Sequence, residues 1–213
     1  MKLKELNNWL NELFNTIVDL NISLNNARYL IKEKGSETVQ SIKKIGFFNH
    51  HIYQLKFITV IQLCKIFDNR NNQKRNINKL FNKLRNEGYD TDLKKLLLSN
   101  QQSNYGLKSK QDLIQSINYL EKEIKKQNKT IEKIVSLRDC VFAHNDPNNL
   151  HEDIHWNELE SLIKLSNKCY NEIHGKLYNC DTRFEITLDW EVRKIIESFA
   201  WYKDIDKRKK ASP

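Results

Sequence analysis

Residues 3–31 read LKELNNWLNELFNTIVDLNISLNNARYLI. Leu3, Leu6, Leu10, Leu13, Ile17, Leu20, Leu24, Ala27 and Ile31 recur in alternating steps of three and four, the spacing that lines one side of a helix. Trp9 and Phe14 widen the seam beyond what a narrow two-stranded coil uses, so the helix belongs in a bundle. Gly35 and Ser36 are placed to end it and to cap the next helix. The rest of the chain is equally poor in breakers, with 5 Gly and 2 Pro in 213 residues. That composition favours long helices over a turn-rich β architecture. The expected fold is all-α: one domain over residues 1–213, built as a bundle of four to five long helices with a short helical insert.

Outward from that helix, residues from about Glu37 to Asp68 read as a second helix, with Gly46 as a kink near its start. Its latter half (Ile52, Tyr53, Leu55, Phe57, Ile58, Val60, Ile61, Leu63, Cys64, Ile66 and Phe67) is apolar almost all round, which predicts a central position with little solvent face. His50 and His51 fall at its more polar start and are expected to be partly exposed. A polar insert over about 69–109 follows. Within it Ile77, Leu80, Phe81 and Leu84 mark a short helix capped by Asn76, and the remainder reads as irregular structure with one turn around Leu93–Leu98. Beyond Pro147, Trp156–Tyr178 reads as a helix with His174 on its surface. Arg183–Leu188 reads as a short extended piece. A last helix from Asp189 to about Tyr202 packs Trp190, Ile195, Ile196, Phe199 and Tyr202, and the basic tail 203–213 is expected to be loose.

Composition narrows the function classes. No apolar run reaches the length of a membrane span, and the start Met1-Lys2-Leu3-Lys4-Glu5 reads as an amphipathic helix rather than a signal peptide. The four cysteines, Cys64, Cys140, Cys169 and Cys180, have no C-x-x-C spacing. They point to buried thiols in a reduced, cytoplasmic protein. The net charge of +9 favours a polyanionic partner such as nucleic acid. Arg70, Lys74, Arg75, Lys79, Lys83, Arg85, Lys94 and Lys95 in the insert are candidates for phosphate contacts. A solvated basic face is the alternative for each.

The chemistry concentrates in Arg138-Asp139-Cys140-Val141-Phe142-Ala143-His144, followed by Asn145-Asp146-Pro147. A helix beginning near Lys110 and running through this stretch places Leu120, Ile124, Ile131, Ile134, Val141 and Phe142 within about 60° of Arg138. Lys122, Lys125, Lys126, Lys129 and Lys133 gather on the opposite face. Arg138 therefore stands on the apolar stripe. It needs partners there, because an unpaired buried charge costs about 3–5 kcal/mol; Asp19, Asp68, Asp139 or a backbone carbonyl are the structural candidates. His144 falls roughly 120° from Arg138, so the two border one groove rather than share a face. Pro147 ends the helix just beyond, near a solvent-accessible rim.

Arg138 and His144, five residues apart, with polar Asp139 after the arginine and Ala143 before the histidine, resemble the R-x(4–6)-H motif of the HEPN superfamily. Leu137-Arg138-Asp139 through Ala143-His144-Asn145-Asp146 is similar to its abortive-infection branch, as is the helix ending Leu63-Cys64-Lys65-Ile66-Phe67-Asp68 before a polar insert. The resemblance implies a metal-independent endoribonuclease acting as a homodimer in phage defence or as a toxin, with two motif helices across a two-fold axis. It implies Arg138 on phosphate oxygens, His144 as general acid/base, Asp139 orienting one of them, and a 2′,3′-cyclic phosphate product. RNA is then the substrate, and an antitoxin or another defence protein is an expected partner, with no cofactor. HEPN toxins regulated by a nucleotidyltransferase carry a tyrosine two residues after the histidine. Asp146 stands there, so the resemblance does not extend to that regulation.

Two other readings stay open. Some HEPN relatives have lost catalysis, so a silent helical module binding RNA or a protein is the first. The second is a zinc hydrolase: His151-Glu152-Asp153-Ile154-His155 spells H-E-x-x-H, which binds zinc when both histidines lie on one helix, and Glu172 or His174 is available as a third ligand. The segment follows Pro147-Asn148-Asn149, however, and reads as a loop entering a helix, with Asp153 or Asn157 near the cap.

Overall fold

The computed structural model describes residues 1–70, 75–139, 153–187 and 190–211, with side chains through residue 207. All regular structure among them is helical. Helix α1 (Leu3–Ile31) is the spine, about 43 Å long at 1.5 Å per residue. Its predicted seam is the buried face: Leu6, Leu10, Ile17, Leu20, Leu24 and Ala27 are in the core, and only the last member, Ile31, is exposed. Gly35 makes the following turn with φ of 112°, where a side chain would be strained. Ser36 Oγ then accepts from the Val39 N–H and caps α2 (Glu37–Lys43).

The expected single helix over 37–68 is two. Ile45 adopts an extended backbone (φ −62°, ψ 137°) and separates α2 from α3 (Gly46–Phe67). Lys43 at the end of α2 is buried, and its Nζ donates to the carbonyls of Lys32 and Lys34 while lying over the Tyr29 ring. The break thus lets a buried lysine satisfy the open carbonyls just beyond α1. Along α3, Leu55, Val60, Leu63, Cys64, Ile66 and Phe67 are in the core as expected, whereas Tyr53 and Ile58, expected inward with them, face outward, as does Phe47. His50 is exposed beside Tyr53, and His51 is half-buried and stacks on Phe47.

The insert is more structured than its polarity suggests. Asn76 Oδ1 caps α4 (Ile77–Asn86) as predicted. The stretch read as irregular holds a helix, α5 (Thr91–Ser99), capped by Asp90. Leu93, Leu97 and Leu107 are buried, and Asn100 Nδ2 donates to the carbonyls of Leu107 and Leu177. The insert is therefore part of the main core, tied to the far end of the chain.

The helix expected to run from Lys110 through His144 is divided. Helix α6 (Lys110–Lys126) ends at Gln127, whose N–H bonds back three residues to Ile124, and α7 (Asn128–Leu137) begins anew. Helix α8 (Trp156–Tyr170) lies antiparallel to α1, as the pairs Phe14–Tyr170, Asn21–Asn167 and Arg28–Glu160 show. It continues through a π-helical turn over Asn171–Gly175 into α9 (Lys176–Tyr178). His174, expected on the surface, is half-buried in this wider turn, stacked on Tyr170 and against Tyr178. The described part of Arg183–Leu188 forms turns and no strand.

The last helix, α10 (Val192–Ala211), is longer and turned differently from the expectation. It incorporates most of the tail. Val192, Ile196 and Ala200, spaced four apart, are its buried stripe, whereas Trp190 just before it and Ile195, Phe199 and Tyr202 on it are exposed. That stripe packs on Ala27 and Leu30 of α1, on Val39 and Ile42 of α2, and on Leu55 of α3, forming a smaller core beside the main one. No helix among the described residues is long and apolar enough to cross a membrane.

Candidate functional site

Helices α3 and α7 meet where the sequence placed the chemistry. Cys64 Sγ lies 3.5 Å from the Ile134 carbonyl, and four residues further along each helix Asp68 meets Arg138. Ile131, Ile134 and Leu137 are buried as the apolar stripe predicts, and Arg138 lies with them, its side chain only 14% exposed. At Arg138–Asp139 the backbone passes from α to π geometry. The 120° between Arg138 and His144 projected on an unbroken α-helix concerns residues beyond 139, outside those described. Cys140, His144 and Asp146 lie outside the described residues.

The buried arginine is paired. Arg138 Nη1 donates to Asp68 Oδ2 at 3.0 Å, and Nε and Nη2 donate to Asp139 Oδ1 at 2.9 and 2.7 Å. Two of the partners suggested by the sequence, Asp68 and Asp139, are thus used together. Burial alone would depress the guanidinium pKa; the bonds to Asp139 and Asp68 outweigh it and hold the group above the usual arginine value.

A second arginine completes the arrangement. Arg70 Nε and Nη2 donate to the Asp68 carboxylate at 2.8–3.1 Å, and Nη1 donates to Asp139 Oδ2 at 2.5 Å. Two guanidiniums and two carboxylates form a closed, formally neutral box. Asp68 is its fixed corner, with a side chain 2% exposed. It ends α3 with an extended backbone, its N–H bonded to the Cys64 carbonyl, and its own carbonyl accepts from Asn76 Nδ2 at 2.7 Å. The Asp68 side chain also folds over the Arg70 N–H at 3.0 Å, the two-residue turn that aspartate favours. Among the insert cations named from sequence, Arg70 reaches Asp139 of the motif. Arg75 pairs with Glu12, Lys83 with Glu5 and Glu87, and Arg85 with Glu121; Lys74 lies outside the described residues.

The box stands on the wall of a groove of ≈510 Å³. Phe67, Asp68 and Arg70 form one side, and Ile124, Lys125 and Asn128 the other. A larger cavity of ≈720 Å³ lies across the 68–76 connection, against Trp9, Lys65 and Leu80. It contains none of the motif residues, and Arg75 within it is already committed to Glu12 and the Trp9 ring.

The described residues on either side of the stretch that carries His144 both lie against α3. Arg138–Asp139 precede it beside Asp68, and Asp153 follows it, its carboxylate accepting from Lys56 Nζ at 2.6 Å. Asp68 and Lys56 are twelve residues apart on and just beyond α3, about 18 Å. The next residues are extended: His155 (φ −89°, ψ 153°) precedes α8, and its N–H is accepted by Glu158, which also pairs with Lys133. His155, rather than Asp153 or Asn157, is therefore the cap. Zinc binding by H-E-x-x-H needs a helix running through both histidines, and residues 153–155 are not helical. His151 and Glu152 lie outside the described residues.

Two other groups, Cys64 beside the box and His174 elsewhere in the fold, are structural. The Cys64 thiol beneath Arg138 is pushed up to about 12 by burial, so it packs rather than reacts. His174, the suggested third zinc ligand, has its pKa lowered by burial and faces Tyr170, Tyr178 and Cys180. The sequence marks Arg70 as one of several candidate phosphate contacts but does not join it to the Arg138 motif. The signal was present in Asp68-x-Arg70, a short acidic-to-basic step at a helix end, but only the fold brings it to Asp139.

No curated protein and no solved structure matches the chain. A family model does, over residues 3–208, nearly its full length. The chain therefore belongs to the HEPN_AbiU2 family, described as AbiU2.

Proposed function

We propose that this protein is a metal-independent endoribonuclease of HEPN type, acting in phage defence or as a toxin. The observation that carries the reading is Arg138: a guanidinium set into an apolar stripe, held in one orientation by Asp68 and Asp139 beside a groove. Packing alone would not choose a charge at that position. A pre-oriented planar fork suits the oxygens of a phosphodiester. RNA brings its own nucleophile, the 2′-hydroxyl, so the protein needs to move protons and stabilise charge on phosphorus. In this reading His144 takes the 2′-hydroxyl proton as the oxygen attacks phosphorus. The bond to the 5′-oxygen of the next nucleotide breaks, and that oxygen takes a proton from water, the proton on His144 passing back to solvent. The products are a 2′,3′-cyclic phosphate and a 5′-hydroxyl. Arg138 stabilises the phosphorane charge, and Asp139 keeps Arg138 oriented.

The family resemblance adds a homodimer with two such sites near its axis, and an antitoxin or other defence partner, in the cytoplasm. The test is incubation of the purified chain with RNA in the presence of EDTA, beside Arg138→Ala and His144→Ala. Loss of one transition-state donor costs about 10²–10³-fold in rate, and loss of the acid/base about 10²–10⁴-fold. RNA that is bound but left intact by the unaltered protein would overturn catalysis in favour of a silent RNA-binding module. Zinc-dependent proteolysis would overturn both.

A further inference from the structure

Arg138 is poorly placed to meet a substrate alone. All three of its nitrogens are engaged by carboxylates, and it stands behind the groove wall, whereas Asp68 and Arg70 line the groove itself. The box also has no net charge, so an arriving phosphodiester finds no excess of positive charge unless a carboxylate lets go. The two carboxylates differ in their freedom. Asp68 is buried and fixed by its backbone bonds at the end of α3. Asp139 is 34% exposed and sits on the π-helical turn, and its partner Arg70 is 52% exposed. An ion pair with both members in contact with water is screened and is the part of the box that exchanges most readily.

We propose that Arg70 is a second phosphate-binding residue of this site, with Asp139 as the occupant that RNA displaces from it. Asp68 is the positioning residue: it keeps Arg70 Nε and Nη2 at 2.8–3.1 Å and so leaves Nη1 aimed at the place where Asp139 now sits. The exchange transfers no proton and breaks no covalent bond. A phosphate oxygen takes the place of Asp139 Oδ2 on Nη1, and Asp139 keeps its bonds to Arg138. The substrate charge is then held between two guanidiniums, one on the helix carrying the motif and one from the insert. This inference rests on the RNA reading but not on cleavage.

The experiment measures binding of a fluorescein-labelled single-stranded RNA by anisotropy as salt is varied, on the full chain carrying His144→Ala so that the RNA stays intact. Each phosphate neutralised contributes about 0.7 to the slope of log affinity against log salt on a single strand. Arg70→Gln is expected to lower that slope by about 0.7 and to weaken binding at low salt, while Arg70→Lys, which keeps the charge, retains the slope. Asp139→Asn is expected to tighten binding, because the occupant loses its charge. Unchanged slope and affinity in Arg70→Gln with a lowered melting temperature would make Arg70 purely structural and overturn the proposal. So would weaker binding by Asp139→Asn. RNA binding with an Arg70-dependent slope but no cleavage by the unaltered protein would keep this inference and remove the ribonuclease reading. No RNA binding at all would overturn both.

Discussion

Replacing Asp68 by alanine is the sharpest perturbation of the site that leaves the RNA question aside. The Asp68 carboxylate, 2% exposed, accepts from Arg138 Nη1, from Arg70 Nε and Nη2 and from the Arg70 backbone N–H. Its removal leaves Arg138, 14% exposed, with Asp139 as its remaining carboxylate, while Arg70 is free to turn to water. Losing one member of a buried ion pair costs about 3–5 kcal/mol. Because Arg138 keeps one partner, the lower end applies, about 3 kcal/mol. In a chain of this size each kcal/mol shifts the melting temperature by roughly 2–4 °C, so Asp68→Ala should melt about 6–12 °C below the unaltered protein. The penalty comes mainly from the stranded guanidinium. Adding Arg138→Met to Asp68→Ala should therefore recover about 1–2 kcal/mol rather than lose more. Urea denaturation followed by circular dichroism reads both quantities. A single variant within about 0.5 kcal/mol of the unaltered protein, or a double variant whose losses simply add, would refute the buried-pair account.

Other parts of the fold give independent checks. His174 is held below the ordinary histidine value by burial, so the unfolded chain takes up its proton first as pH falls. Stability from this group is present above about 6.5 and is lost as pH drops through the lower folded value; His174→Phe should show a shallower loss between pH 7.5 and 5.5 than the unaltered protein, and equal slopes would contradict it. Cys64 and Cys169 are buried with thiols pushed up to about 12, while Cys180 is exposed. Iodoacetamide at pH 8 followed by peptide mass mapping should therefore find Cys180 alkylated and these two intact, and rapid labelling of Cys64 would contradict the packing beneath Arg138. A Cβ on Gly175 would stand 2.6 Å from the Cys180 carbonyl. Gly175→Ala should accordingly cost about 1–3 kcal/mol by overpacking, and unchanged thermal stability would show that the turn after α9 yields freely.

What the sequence made legible follows from what periodicity encodes. The α1 seam, the core residues of α3, the Asn76 cap and the unusual position of Arg138 all depend on residue type at helical spacing, and all are found in the structure. The failures share a cause, because periodicity does not register where a helix loses its phase. Gln127 breaks a helix without proline or glycine, the Gly46 read as a kink marks a full break at Ile45, and the π-helical turns at 138–139 and 171–175 leave no compositional mark. Helix α10 failed differently. Apolar residues cover much of its circumference, so pattern alone could not choose Val192, Ile196 and Ala200 as the inner stripe over Ile195, Phe199 and Tyr202. At the site, the need of Arg138 for a partner was legible and Asp68 and Asp139 were among the candidates. Arg70 was not, because its role depends on α3 ending beside α7, a tertiary fact.

Cleavage by the Arg138–His144 motif through the RNA's own 2′-hydroxyl, without a metal, leaves a signature in the end groups of the products. RNA should be incubated with the purified chain in EDTA, beside the same sequence carrying 2′-O-methyl groups, and the products resolved by mass spectrometry. The expected products are fragments ending in 2′,3′-cyclic phosphate with matching 5′-hydroxyl ends, and none from the 2′-O-methyl strand. Cleavage of both strands, 5′-phosphate products, or activity abolished by EDTA would contradict that mechanism.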